Sequence, residues 1–229
     1  MNRVFLRLIA PAFLALSVLP AQPVEAVPFL LTTDLTGDFR AENPDNLLVH
    51  VTVSGDTTSN LTQWTVDLDS PLHPNLTLGG FFFNLANPAG TSLTFLNFSR
   101  ASWAVEATTQ NAQGSGGAVF EFRASDPPGS SNNVTNSTSL TFTARLNGGL
   151  WDPSMLLDAP LSDGGGIPDP GTQMGAHLRS AIACSSGCSD SGFASGSFQP
   201  PPTSVPEPTT LLLSGLGLVG AAMARRRRA

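Results

Sequence analysis

The chain has 229 residues, a formal net charge of −6, 41% hydrophobic and only 12% charged residues, with no lysine and no tyrosine. Between Val27 and Val205 its only basic residues are Arg40, Arg100, Arg123, Arg145 and Arg179, against fifteen aspartates and glutamates. Such an acidic body excludes nucleic acid as a partner, because phosphates require a basic face, and it leaves neutral glycans and divalent cations as the compatible classes.

The N-terminus has the order of an export signal. Arg3 and Arg7 precede the apolar run Leu8 to Leu19, and Val24-Glu25-Ala26 supplies modest side chains where a signal peptidase reads. A transmembrane helix is disfavoured here because the run is short and contains Pro11. Residues 1–26 are therefore expected to be a signal peptide, and 27–198 one domain, long enough to bury a sizeable core.

That domain reads as strands. In Thr62 to Asp69 the apolar Trp64, Val66 and Leu68 alternate with Gln63, Thr65, Asp67 and Asp69, which places one face on a core and the other in water. The same alternation sets Trp103 and Val105 against Ser102 and Glu106, and Phe120 and Phe122 against Glu121 and Arg123. It also sets Leu140, Phe142, Ala144 and Leu146 against Thr141, Thr143 and Arg145. Further strand candidates are Phe29 to Thr33, Leu47 to Val53, Leu76 to Leu85, Ser92 to Phe98 and Ala176 to Ala183, separated by turn clusters such as Asn87-Pro88-Ala89-Gly90. The near-continuous apolar stretches at Gly80 to Phe83 and Leu93 to Phe98 are expected at the centre of the sheets. With no amphipathic helix and no repeat, the expectation is an all-β, antiparallel β-sandwich of jelly-roll type, with a closed barrel as the alternative.

Leu150 to Thr172 forms a long irregular excursion, of the kind that carries function in compact domains. Asp152, Asp158, Asp163 and Asp169 share it and are calcium candidates, although aspartates in that setting ordinarily begin turns and no EF-hand pattern is present. Trp151 in the same segment is the first candidate for stacking on a sugar. Glu106 and Glu121 are the best carboxylate pair for glycoside hydrolysis, but both fall on solvent parity, so the expectation is no catalytic residue and no enzyme. His50, His73 and His177 do not cluster in sequence, and no metal is assigned to them. Cys184 and Cys188, in an exported chain, are expected to close a short disulfide loop; their spacing fits neither CxxC redox chemistry nor zinc. Five sequons, at Asn60, Asn75, Asn97, Asn133 and Asn136, reflect the Thr/Ser/Asn-rich surface.

Residues 199–205 form a proline-rich spacer containing Pro200-Pro201-Pro202. Residues 206–229 then combine Pro206-Glu207-Pro208, an uncharged segment from Thr209 to Ala224, and Arg225-Arg226-Arg227-Arg228. Sixteen helical residues reach roughly 24 Å against a hydrocarbon core of about 30 Å, marginal for a permanent anchor but adequate for a transient one. Gly215, Gly217 and Gly220 let another helix approach closely, and the four arginines hold the tail on the cytoplasmic side.

This C-terminal arrangement resembles the sorting signal of PEP-CTERM proteins, which are exported and handed to a membrane protease of the exosortase family. The resemblance implies an exosortase-like partner, transient residence in the inner membrane through a single transmembrane helix at 209–224, and release to the cell surface or matrix. In that family such proteins are associated with exopolysaccharide and biofilm matrix. Gly79 to Leu85, Ala176-His177-Leu178 and Ser191 to Gly196 are also similar to central regions of other tagged proteins of this kind. A surface or matrix module is the leading expectation; a carbohydrate-binding module and a glycosidase are the alternatives.

Overall fold

The computed structural model describes residues 25–37, 47–107, 119–127, 133–162, 171–180 and 191–200. Ten strands lie in these residues: β1 (Pro28–Thr36), β2 (Leu48–Asp56), β3 (Leu61–Leu68), β4 (Thr77–Phe83), β5 (Ser92–Leu96), β6 (Ala104–Ala107), β7 (Phe122–Ser125), β8 (Leu140–Asn147), β9 (Met174–Arg179) and β10 (Ser191–Gly196). A single helical turn, α1 (Ser154–Leu157), precedes β9. The hydrogen-bonded order is β5-β8-β3-β2-β1-β10-β9-β4-β7-β6, and every ladder is antiparallel.

The all-β antiparallel expectation holds, but one continuous sheet replaces the two separate sheets of a jelly-roll-like sandwich. Its two five-strand leaves are joined at β1 and β10 through a single paired position, Thr36 opposite Ser195, whereas β1 and β2 are in register from Pro28/Asp56 to Thr36/Leu48. At the far side the terminal strands β5 and β6 approach one another without a ladder, so the fold is nearly a barrel.

The leaves close on an aromatic stack. Trp64 on β3 is fully buried, with its ring 4.9 Å from Phe83 on β4 and 5.5 Å from Phe142 on β8. Phe83 in turn stacks on Phe122 of β7 at 5.3 Å, and Phe122 meets Phe95 of β5 edge-on at 5.5 Å. The chain of rings thus runs from one leaf to the other and across the open seam. The indole N–H donates to Thr62 Oγ1 at 3.1 Å, two residues away on the same face, so burying Trp64 strands no polar group.

The apolar faces read for β3 and β8 hold, with Trp64, Val66, Phe142 and Ala144 inside although Thr143 is buried too, and β2 alternates likewise, with Val49, Val51 and Val53 inside. β4 lies between β9 and β7 and is buried on both sides: Phe81 and Phe83 enter the main core, while Phe82 packs with Phe120 and Phe193 in a second cluster. Three expectations need correction. Leu93 to Phe98 does not lie at the centre, because β5 is a terminal strand whose Leu93 and Phe95 face the core while Ser92 and Thr94 are exposed. Asn97 ends it in the left-handed region, φ 57°, and Phe98 stacks on Phe142 at 5.5 Å. Phe120 does not share the face of Phe122; it precedes β7 and joins the second cluster. β10, Ser191-Gly192-Phe193-Ala194-Ser195-Gly196, is not among the strand candidates of the sequence, yet it pairs with β9 along its whole length.

Two buried amides fasten the irregular segments to the leaves. Asn84 donates to the carbonyl of Pro160 at 2.8 Å and accepts from Glu121 N at 2.8 Å. Gln173 donates to Leu157 O at 3.0 Å, and its Oε1 accepts from Phe198 N at 2.9 Å. Phe198 is buried against the main core, so the body is pinned up to the residue before the proline spacer.

Gln173→Ala would leave a buried carbonyl and a buried N–H without partners, at about 1–3 kcal/mol each. The urea midpoint is expected to fall by the equivalent of about 2 kcal/mol or more. A loss below about 0.5 kcal/mol would show that water replaces the clasp.

Candidate functional site

The described part of the excursion after β8, residues 150–162 and 171–172, is tied to the strands. Trp151 is 1% exposed, its backbone N–H donates to Ser59 O at 2.9 Å and its indole N–H to Asn60 O at 3.0 Å. The expectation that Trp151 offers a ring for sugar stacking is therefore overturned: the ring is core, as expected for Trp64 and Trp103, and is held by its polar edge. No tryptophan in the chain is exposed.

Asp152 is occupied by its own turn. Its Oδ1 accepts from Ser154 N at 2.8 Å where α1 begins, and hydrogen bonds from the side chain and backbone of Ser154 hold its carboxyl below the ordinary carboxylate range. Asp56 is lowered in the same way by the Thr58 side chain and backbone. The stabilisation from such depressed carboxylates is present above their unfolded values and is lost as pH falls through the lower folded values; Asp152 is exposed and Asp56 only part-buried, so the effect is small. Asp158 closes α1 at its C-terminal end, while Asp163 and Asp169 lie outside the described residues. Among the described residues no three of His, Cys, Asp and Glu gather as a metal site.

His50 pairs with Asp34 across β1 and β2, Nδ1 to Oδ1 at 2.7 Å, His73 lies in the turn before β4, and His177 stacks on Phe193 at 4.8 Å. These are three separate elements. Cys184, Cys188, Pro206, Glu207, Pro208 and Arg225 to Arg228 lie outside the described residues. Of the sequons, Asn136 is committed internally: its Oδ1 accepts from Ser70 N at 3.0 Å and its Nδ2 donates to the carbonyls of Ser70 and His73.

The carboxylates weighed for hydrolysis are not brought together. Glu121 borders a shallow depression of about 490 Å³ with Asp158, Met155 and Pro88. Glu106 borders a different cavity of about 430 Å³, which is the more enclosed of the two. β4 and β7 pair only from Phe81/Ala124 to Phe83/Phe122; before Phe81 they part and a wedge opens. Register shifts between Leu78 and Gly80 in the β4–β9 ladder, making Gly79 a bulge residue on the wedge wall. The edge of β4 released by β7 is taken by residues 133–135, with Leu78 N donating to Val134 O at 2.9 Å and Thr77 bridging Thr135. Into this wedge come Arg123 and Ser125 from β7, Glu106 from β6, Arg179 from the end of β9, and Asp126. Arg123 lies over the Phe82 ring at 5.6 Å, and its Nη1 is 4.0 Å from Glu106 Oε1.

Residues 204–228 match the family model described as the PEP-CTERM protein-sorting motif. The chain carries a PEP-CTERM sorting signal. Comparison with curated proteins and with solved structures gave no match. The signal implies export, an exosortase as processing partner and a transient stay in the membrane, in agreement with the reading of residues 206–229. Among the described residues no helix is long and apolar enough to cross a membrane, and the apolar segment of the signal lies outside them. Gly79 to Leu85, Ala176-His177-Leu178 and Ser191 to Gly196 fall on β4, β9 and β10, which are adjacent in the sheet.

Because Trp151 is core, Trp151→Ala is expected to cost about 3–5 kcal/mol in thermal or urea unfolding. A change under about 0.5 kcal/mol would return the ring to the surface and reopen its role in stacking.

Proposed function

We propose that this is a non-enzymatic surface or extracellular-matrix protein, delivered by its C-terminal signal and cut at or near Pro206-Glu207-Pro208 by an exosortase-like protease. The match of residues 204–228 to the PEP-CTERM motif carries this reading. The fold supports it in a specific way. Phe198 is the last residue fixed by the Gln173 clasp, and Gln199 and Pro200 are already exposed. From there to Pro206 the proline-rich sequence would, if extended, reach roughly 25 Å, enough to hold a body of this size away from the bilayer while the protease works on the signal. A signal that began inside the clasp would have to unfold the domain to be cut.

The proposed destination is the exopolysaccharide-containing matrix. The acidic, lysine-free composition keeps the released body soluble and off anionic membranes. A structural role agrees with an aromatic core closed on itself and with carboxylates, Glu106 and Glu121, that border different depressions. In the exported compartment the proposed Cys184–Cys188 bridge would shape the connection between β9 and β10.

Intact mass of the chain from its own cells tests the sorting reading. The wild chain is expected to lose the apolar segment and Arg225 to Arg228, and Glu207→Ala to retain them. An unchanged mass in the wild chain would mean a standing membrane anchor and end the exosortase reading.

A further inference from the structure

We propose that the wedge between β4 and β7 is a binding site for a neutral saccharide. The inference deepens the matrix reading above by naming a contact surface and a ligand class, and it rests on that reading only for biological setting. Two of the five arginines of the body, Arg123 and Arg179, line this one cavity, in a chain with no lysine. Arg179 lies across Gly79 so closely that a Cβ there would stand 2.6 Å from Nε, so the bulge glycine is what lets the guanidinium lie on the wall. Glu106 and Asp126 supply carboxylates in the same space, and Oδ1 of Asp126 is buried without a hydrogen-bond partner among the described residues. A buried acceptor left unmatched is costly, and a ligand hydroxyl would satisfy it.

The charges select the ligand. Two guanidiniums repel a metal ion, while two carboxylates on an acidic body repel a polyanion. What remains is a molecule rich in hydroxyls, which donate to carboxylates and accept from guanidiniums. The cavity, about 430 Å³, lies within the range of small-ligand pockets. This site takes the place of the tryptophan platform that Trp151 does not provide.

The test uses the exported chain as its own cells produce it, solubilised in detergent if it keeps its signal. It is titrated by calorimetry with cellobiose, with maltose and with a glucuronate-containing disaccharide. Saturable binding of a neutral disaccharide is expected, weakened about tenfold or more in Asp126→Ala and in Arg179→Ala, and unchanged in Glu121→Gln at the other depression. Arg179 is exposed, so its variant reads binding without a loss of folding. No binding, binding of the uronate alone, or neutral binding indifferent to both wedge variants would overturn the proposal. The mass of the same preparation reports sorting separately, so failure of one reading is distinguishable from failure of the other.

Discussion

The contact of Trp64 with Phe83 is the constraint on which the rest of the molecule depends. The two leaves of the sheet share one paired position at β1 and β10 and none at β5 and β6, so backbone hydrogen bonds alone would leave them free to splay. Rings supply the missing connection. Trp64, Phe83, Phe142, Phe122 and Phe95 form a chain of contacts between 4.9 and 5.8 Å that crosses from β3 and β8 to β4 and β7 and returns to β5. Each such pair contributes about 0.5–1.5 kcal/mol beyond the area it buries. A chain with few charged pairs and a marginal net stability relies on terms of that size.

Loops and site inherit their order from this stack. With β4 held, the excursion after β8 is tied down by Asn84, Gln173 and Trp151, each buried and each satisfied through backbone groups. The same strand sets the wedge, because β4 is shared between β9 and β7 and cannot follow both once the Gly79 bulge alters its register. The cavity is thus a consequence of sheet topology, and its charged residues arrive from three different strands and the loop after β7. Function and stability meet again at Phe198, where the core ends and the tether to the sorting signal begins.

Much of this was legible in the sequence where the physics is local. Alternation in β3 and β8 identified the apolar core residues, and the join of PEP, apolar segment and arginines identified the signal, since each depends only on near neighbours. What depends on distant pairing was not legible. Ser191 to Gly196 lacks the β-branched side chains of a strand and becomes one because β9 offers a ladder. Leu93 to Phe98 is apolar enough for a central strand but closes an edge, where Phe95 reaches Phe122 from the other leaf. Trp151 stands in a proline- and aspartate-rich segment, and only the carbonyl of Asn60, far away in the chain, makes it core. The wedge left no sequence signature, as Arg123, Asp126 and Arg179 are single residues that converge through a bulge.

A double-mutant cycle between Trp64→Leu and Phe83→Leu, read by urea unfolding, tests most directly whether this aromatic contact locks the two leaves. The account expects a favourable coupling of about 0.5–1.5 kcal/mol and a single cooperative transition in each variant. Strictly additive effects, or two separate transitions in the wild chain, would contradict it.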